Sequence, residues 1–167
     1  VLDLDTNGPP LLSIFGGKFT PYRKLAEDVL DELSRALGWP QKHWTALAPL
    51  PGGDMPGADF EAFLADFGAT HAWVPTPLLR RYARTYGTRA TRMLGNAKSL
   101  QELGEQVLPG LHAREIDYLR REEWAVTAED ILYRRSKLAL HVPAGSEARL
   151  DAWLSSHPPA ESATAVM

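Results

Sequence analysis

The sequence predicts a mainly α protein, a multi-helix orthogonal bundle with one short strand near the N-terminus. Two observations lead to this fold class. Apolar residues recur at three- and four-residue spacing in at least six segments, which is the period of an amphipathic helix. By contrast, residues 11–15 form a short apolar run that stops at two glycines, which is typical of a strand.

The predicted strand is followed by Gly16 and Gly17 and then by a long helix that ends near Gly38 and Pro40. The apolar face of this helix has four-residue spacing and consists of Leu25, Val29, Leu33 and Leu37. A single strand cannot pair its own backbone groups. We therefore expect it to pair either with a strand that the pattern does not reveal or with strands outside this chain.

Residues 47–59 are rich in proline and glycine and predict a loop. Helical spacing then recurs in further segments with recognisable start signals. Thr76 with Pro77, the capping box of Ser99 with Glu102, and Thr127 are such signals. The predicted helix faces are Phe60, Phe63, Leu64 and Phe67; Leu79, Tyr82, Ala83 and Tyr86; Ile116, Leu119 and Glu123; Ile131, Leu132, Arg135 and Leu138; and Leu150, Trp153 and Leu154.

Composition and charge exclude several classes of protein. The chain of 167 residues is 44% hydrophobic and 23% charged, with a net charge of −3, as in an ordinary globular protein. The charge predicts no nucleic-acid partner. Without cysteine, disulfides and thiolate metal sites are impossible. No apolar run approaches the length that spans a bilayer, about 20 residues, and residues 1–10 lack the features of a signal peptide.

No complete catalytic site and no metal site can be assembled from the sequence. The five histidines never stand three or four residues apart, as a helical metal site requires. The chain has no Gly-x-Ser-x-Gly turn, no Walker loop and no Gly-x-Gly-x-x-Gly signature.

The junction "GGKFT" of residues 16–20 has the residue types of a ligand-facing turn. Glycines let a ligand approach the backbone, and the first amides of the following helix point outward with the positive end of its dipole. Lys18 adds a charge and Thr20 a hydroxyl. An ordinary strand–helix turn with surface cations explains the same residues equally well.

A second candidate surface is basic. No acidic residue lies between Asp66 and Glu102, whereas this stretch contains Arg80, Arg81, Arg84, Arg89, Arg92 and Lys98. A solvated helix face accounts for this pattern. The alternative is a surface, led by Arg80, Arg81 and Arg84, that faces an anion such as a phospholipid or an acidic partner. In a later charged stretch, Asp130 and Arg134 stand at ion-pair spacing, which we interpret as structural.

Four stretches, in order, resemble the FAD-dependent glycerol-3-phosphate dehydrogenases. They are "LLSIFGGKFTPYRKLAE" at residues 11–27, "LPGGD" at 50–54, "RYARTYGTRATRMLGNA" at 81–97, and "EIDYLRREEWAVTAEDILYRRSKLAL" at 115–140. One motif alone is weakly specific, but the ordered set covers nearly the whole chain up to Leu140.

The resemblance implies that the chain is the C-terminal part of such an enzyme. Residues 1–38 are then the end of the FAD-binding domain, 39–156 a helical C-terminal domain and 157–167 a mobile tail. The family oxidises sn-glycerol 3-phosphate to dihydroxyacetone phosphate through FAD and passes electrons to quinone; oxidases that use oxygen share the same motifs. The full-length enzyme is expected at the cytoplasmic face of the membrane as a peripheral protein, and a homodimer is an open alternative.

The resemblance also assigns residues. It implies that Gly16, Gly17, Lys18, Phe19 and Thr20 lie beside the flavin, with Lys18 also at the substrate. The N-terminal FAD and substrate domain is absent here, so we expect the chain alone to bind no FAD and to be inactive. The competing hypothesis is a free-standing helical module that binds a protein or a membrane; the unpaired strand argues against it.

Overall fold

The computed structural model describes residues 2–5, 11–15, 17–40 and 42–158. It is mainly helical, which confirms the predicted fold class. The chain forms two compact units, residues 1–49 and 50–167. Gly16 lies outside the described residues, and so does the predicted tail from residue 159 onward.

The first unit contains an antiparallel strand pair and one long helix. Strand β1 (Leu2–Asp5) pairs with β2 (Leu11–Ile14), with Leu2 opposite Ile14 and Asp5 opposite Leu11. The strand predicted near residue 11 therefore has a partner within the chain, and the prediction of a single unpaired strand is wrong. The alternating apolar and acidic residues of "LDLD" are the signal for it.

Helix α1 (Tyr22–Leu37) ends at Gly38, whose φ of 69° lies in the left-handed region. The backbone N–H of Gly38 donates to the carbonyl of Ser34, so the predicted glycine stop is confirmed. The loop that follows is tied back to α1, because the Thr45 hydroxyl donates to Glu27 and His43 contacts Asp31. The predicted domain boundary after residue 38 thus falls inside this unit, which extends to residue 49.

The second unit is built from short helices and one small hairpin. Its elements are α2 (Phe60–Thr70), α3 (Thr76–Tyr86), α4 (Arg89–Leu94), β3 (Gln106–Leu108), β4 (Leu111–His112), α5 (Ala113–Glu122) and α6 (Ser146–Ser156). Short 3-10 turns occur at Pro56–Ala58, Gln101–Leu103 and Leu138–Leu140, and a π-helical segment spans Asp130–Arg135.

Side-chain caps set several of these boundaries. The Asp59 carboxylate accepts from the amides of Glu61 and Ala62 and starts α2. The Thr127 hydroxyl accepts from the amide of Asp130, as predicted. Thr76, in contrast, is the first residue of α3 and caps nothing.

The core of the second unit contains residues of the predicted apolar faces, such as Tyr82, Ile116 and Leu150, together with residues that the spacing did not predict, such as Leu94, Leu108 and Leu111. The fully buried large side chains are Tyr82, Leu94, Leu103, Leu108, Leu111, Ile116, Tyr118, Leu119, Ile131, Leu132 and Leu150. They come from α3, α4, α5, α6, the β3–β4 hairpin and the segments between them. One continuous core therefore holds this unit together.

Two glycines bring the "LPGGD" loop against the end of α3. Gly52 and Gly87 have φ values of 86° and 56°, and the amide of Thr88 donates to the carbonyl of Gly52 at 3.0 Å. A Cβ on Gly52 would overlap the Tyr86 carbonyl oxygen, and a Cβ on Gly87 would overlap that of Gly52. The Thr88 hydroxyl also donates to the Asp54 carboxylate. Two motifs quoted from the sequence thus form one backbone contact.

We predict that Gly87→Ala lowers the free energy of unfolding by about 3 kcal/mol or more, because strain at positive φ adds to a backbone overlap. Urea unfolding of the chain measures this. Gly145→Ala is the matched control, since Gly145 has a φ of 84° but no atom within 4 Å of the added Cβ. It should cost about 1 kcal/mol from strain alone. Equal losses in the two variants would contradict the importance of the Gly52–Gly87 contact.

Candidate functional site

The turn between β2 and α1 is open to solvent. Gly17 has a φ of 128°, a conformation that favours glycine, and a Cβ there would lie 3.3 Å from the Leu25 side chain. Lys18, Phe19 and Thr20 are all exposed, and the Phe19 ring is 89% exposed.

The start of α1 adds hydrogen-bond donors to this turn. No side chain caps the helix; the Tyr22 amide donates to the Phe19 carbonyl at 3.4 Å, which leaves the amides of Arg23 and Lys24 available to a partner. The turn therefore combines outward-facing amides with the ammonium of Lys18. Such an arrangement binds an anion or a carbonyl edge.

Arg23, on the first turn of α1, is engaged within its own unit. Its guanidinium donates to Glu27 at 2.6 Å and to the Thr45 hydroxyl at 3.1 Å. The hydrogen bond from Thr45 lowers the pKa of Glu27, with Arg23 acting in the same direction, while burial opposes them. Arg23 therefore holds the loop after α1, a structural role.

The structure separates the three arginines of the predicted basic surface. Arg80 and Arg84 are exposed; Arg80 contacts Glu61 at 3.2 Å and Arg84 lies over the Phe60 ring. Arg81 instead lies inside the second unit, with a side chain that is 20% exposed. Farther along, Arg89 and Arg92 pair with Glu123 and Glu122 of the α5 end. Acids from distant segments thus offset much of the local positive charge.

Arg81 is the centre of a buried polar network. It donates to both oxygens of Glu115, at 2.7 and 2.6 Å, and to the Gly110 carbonyl at 2.6 Å. The Tyr86 hydroxyl donates to the same carboxylate, which is 1% exposed. The bidentate geometry orients the guanidinium, so the network links α3, the β3–β4 turn and α5.

Burial and charge shift the pKa values of this network in a consistent way. Burial alone would lower the pKa of Arg81, but the hydrogen bonds and charge of Glu115 outweigh it and raise that pKa. Burial, followed by the negative charge of Glu115, raises the pKa of both Tyr82 and Tyr86. The two phenols therefore stay neutral at physiological pH, and Tyr86 keeps the proton that it donates to Glu115.

A cavity of about 420 Å³ adjoins Arg81. Proline and leucine form most of its wall, namely Pro75, Pro77, Leu78, Leu100, Pro109 and Leu138. Its polar lining consists of Arg81, Gln106, His112 and His141, with no carboxylate, hydroxyl or thiol side chain. Its two imidazoles, His112 and His141, are the side chains of the lining that could transfer a proton, and no hydroxyl, thiol or carboxylate nucleophile lies beside them.

Two further searches covered the described ranges only. Within residues 2–5, 11–15, 17–40 and 42–158, no three histidine, aspartate or glutamate side chains are grouped as metal ligands. No helix in this part of the chain is both long and apolar enough to cross a bilayer.

The sequence analysis missed the Arg81–Glu115 pair, because the partners are 34 residues apart. A signal for it does exist. Glu115 stands four residues before Leu119 on the apolar face of α5, where a carboxylate is costly unless it is paired.

Comparisons with known proteins give the family of the chain. The sequence model of the family described as the C-terminal domain of alpha-glycerophosphate oxidase matches residues 43–153. A glycerol-3-phosphate dehydrogenase of Pseudomonas aeruginosa is 48% identical over 151 residues, which are 90% of this chain and 29% of that protein. The aerobic glycerol-3-phosphate dehydrogenase of Escherichia coli K12 is 39% identical over 151 residues, 90% of this chain and 30% of that protein.

A relative with a different printed substrate is also similar. The D-erythritol 1-phosphate dehydrogenase of Brucella abortus is 42% identical over 154 residues, 92% of this chain and 31% of that protein. The chain thus spans about three-tenths of the length of these relatives.

We predict that Glu115→Gln destabilises the chain by about 3–5 kcal/mol, because it leaves the buried charge of Arg81 without its counter-ion. Glu61→Gln is the matched control, since its carboxylate pairs with Arg80 at the surface and should contribute less than about 1 kcal/mol. Chemical unfolding at neutral pH measures both. A loss for Glu115→Gln no larger than that for Glu61→Gln would contradict a structural role for the network.

Proposed function

The chain belongs to the family of the C-terminal domain of alpha-glycerophosphate oxidase, and from this membership we propose that it is the C-terminal part of a longer flavoenzyme. That enzyme oxidises sn-glycerol 3-phosphate to dihydroxyacetone phosphate. The observation that carries the proposal is the 48% identity, over 90% of this chain, to a glycerol-3-phosphate dehydrogenase.

The burial pattern of the first unit supports the proposal. Among its described residues from 11 to 49, the buried side chains are Glu27 and Ser34, and both are polar. The exposed large apolar residues of this unit are Leu11, Ile14, Phe15, Phe19, Tyr22, Leu30, Leu37, Trp39, Trp44 and Leu47. A unit that buries so little apolar surface gains little stability from it. A flavin domain in the rest of the enzyme would supply the missing cover.

The turn before α1 fits an FAD. The positive φ of Gly17 lets a ligand approach the backbone, and the uncapped start of α1 presents amides beside Lys18. When bound, FAD supplies the acceptor for a hydride from the secondary carbinol of the substrate. Gly17, Lys18, Phe19 and Thr20 would hold the flavin edge through backbone amides and the Thr20 hydroxyl. Gly16 belongs to the same proposed set but lies outside the described residues.

Lys18 is the proposed substrate contact of this turn. Its exposed ammonium would orient the substrate phosphate by charge, without taking or giving a proton. Quinone is the proposed electron acceptor, because the relatives are described as dehydrogenases. The family description names an oxidase, so oxygen uptake without added quinone would instead identify oxygen as the acceptor.

A second candidate substrate is D-erythritol 1-phosphate, which the printed name of the Brucella relative supports. Both molecules are polyol phosphates. The complete enzyme, assayed with each substrate and a quinone, tests the proposal through flavin absorbance and turnover. A complete protein with no flavin and no activity on either polyol phosphate would overturn it.

We predict that Lys18→Ala in the complete enzyme lowers kcat/KM for the preferred polyol phosphate by about tenfold or more, since a charge-assisted contact to the phosphate is lost. Flavin content and melting temperature should stay unchanged. Lys24→Ala removes the same charge from α1, where Lys24 pairs with Asp28 at 2.9 Å, and serves as control. Equal kinetics for Lys18→Ala and the unmodified enzyme would assign Lys18 a surface role.

The complete enzyme is also proposed to bind the membrane as a peripheral protein, with Arg80 and Arg84 facing the lipid. Both side chains are exposed, and each basic residue near an anionic surface contributes about 1 kcal/mol. A homodimer through this same face remains the alternative partner arrangement.

We predict that Arg80→Glu with Arg84→Glu releases the complete enzyme from phosphatidylglycerol vesicles in a sedimentation assay, because attraction becomes repulsion. Arg149→Glu reverses one exposed arginine of α6, so it is the charge-matched control for either single variant, Arg80→Glu or Arg84→Glu, and should leave binding nearly unchanged. If the double variant binds the vesicles as well as the unmodified enzyme does, Arg80 and Arg84 are not the lipid contact.

A further inference from the structure

The exposed apolar side chains of the second unit are concentrated in one segment. Among the residues of this unit that the structure describes, the exposed large hydrophobic side chains are Leu50, Trp124, Val126, Tyr133 and Leu140. Four of these five lie within residues 124–140, and Trp124 and Leu140 are 80% and 78% exposed. We define these four side chains as the Trp124 surface. Single exposed apolar residues are common, but four within one segment, two of them aromatic, are a composition that is enriched at interfaces.

Backbone hydrogen bonds hold the turn that carries Trp124 in one conformation. Trp124 has a φ of 53°, unusual for a residue with a side chain. The buried residue Ala125 follows it, and the amide of Ala125 donates to the Leu119 carbonyl at 3.1 Å. The amides of Val126 and Thr127 donate to the Asp130 carboxylate, which lowers the pKa of Asp130. The indole is therefore presented to solvent by an anchored turn.

The remainder of the surface is carried by the π-helical segment Asp130–Arg135 and the turn Leu138–Leu140, which pack against each other. The amide of Ser136 donates to the Ile131 carbonyl at 3.0 Å, across five residues. Lys137 follows with a φ of 59°. Irregular backbone of this kind is frequent at functional sites, where it places side chains that a regular helix would turn elsewhere.

The charged residues around the surface are of both signs. Residues 121–137 contain four acids and four bases: Glu122, Glu123, Glu129 and Asp130, and Arg121, Arg134, Arg135 and Lys137. Arg134 is already paired with Asp130 at 2.6 Å and Glu129 at 2.8 Å. Glu122 and Glu123 are likewise paired, with Arg92 and Arg89, so ion pairs engage all four acids of this segment. An apolar centre with a rim of both signs is the composition of a protein–protein contact.

We propose that the Trp124 surface docks onto the N-terminal part of the same polypeptide, the part that lies outside this chain. The inference rests on the proposed function. About seven-tenths of the length of each relative lies outside the matched region, so a large partner is tethered to this unit. A tether raises the effective concentration to the millimolar range, where even a small apolar contact forms.

Hydroxyl-radical footprinting tests this by comparing the 167-residue chain with the complete protein at the same low concentration. Labelling of Trp124 and Tyr133 should fall severalfold in the complete protein. Trp153 is the internal control, because its indole is already partly buried and donates to Glu105 at 3.0 Å. Its labelling should be similar in both. Flavin absorbance and turnover, measured on the same sample, report separately on the proposed function.

A pair of variants provides a second measurement. Trp124→Gly removes the indole at a φ that glycine favours, so the 167-residue chain should keep its melting temperature while that of the complete protein falls by several degrees. Lys137→Gly also places glycine at a positive φ but removes no exposed apolar side chain. It should therefore change the melting temperatures of the 167-residue chain and of the complete protein by the same amount.

Three outcomes would overturn the inference. Equal labelling of Trp124 in the short chain and the complete protein excludes docking within the polypeptide. Protection that rises with protein concentration identifies a second copy as the occupant. Protection that requires phosphatidylglycerol vesicles identifies a membrane surface.

Discussion

The second unit depends on a carboxylate that is almost completely removed from solvent. Glu115 accepts two hydrogen bonds from Arg81 and one from Tyr86, so its charge is matched and its oxygens are satisfied. Without these partners, a buried carboxylate would become protonated or would destabilise the core until water reached it. The third bond of Arg81, to the Gly110 carbonyl, extends the constraint to the β3–β4 turn. The relative positions of α3 and α5 follow from this pair.

The two units differ in how much apolar surface each of them buries. The second has a continuous apolar core drawn from all its main helices. In the first, polar contacts join α1 to the loop that follows it, and ten large apolar side chains are exposed. The exposed turn between β2 and α1 and the continuous apolar core therefore occur in different units.

Local periodicity was enough to predict the fold class and the apolar faces of α3, α5 and α6. It also predicted the Asp130–Arg134 pair and the glycine stop of α1, because those interactions join residues fewer than six positions apart. Contacts across the chain were not predictable in this way. Arg81 with Glu115, Gly52 with Gly87, and β1 with β2 each require the tertiary arrangement. In the candidate site, the residue types of the turn were readable, but the inward position of Arg81 was not, since a run of arginines has the same pattern on either side of a helix.

The contact between Gly52 and Gly87 also restricts how this sequence can change over time. A side chain at either position meets the backbone of the other segment, so the first substitution at one glycine is penalised whatever residue arrives. No compensating change at the second position relieves it, because the obstacle is a carbonyl oxygen, which every residue carries. Other positions of the two loops can therefore change, but positions 52 and 87 cannot accept a side chain. Relatives with the same backbone path should have glycine at both positions.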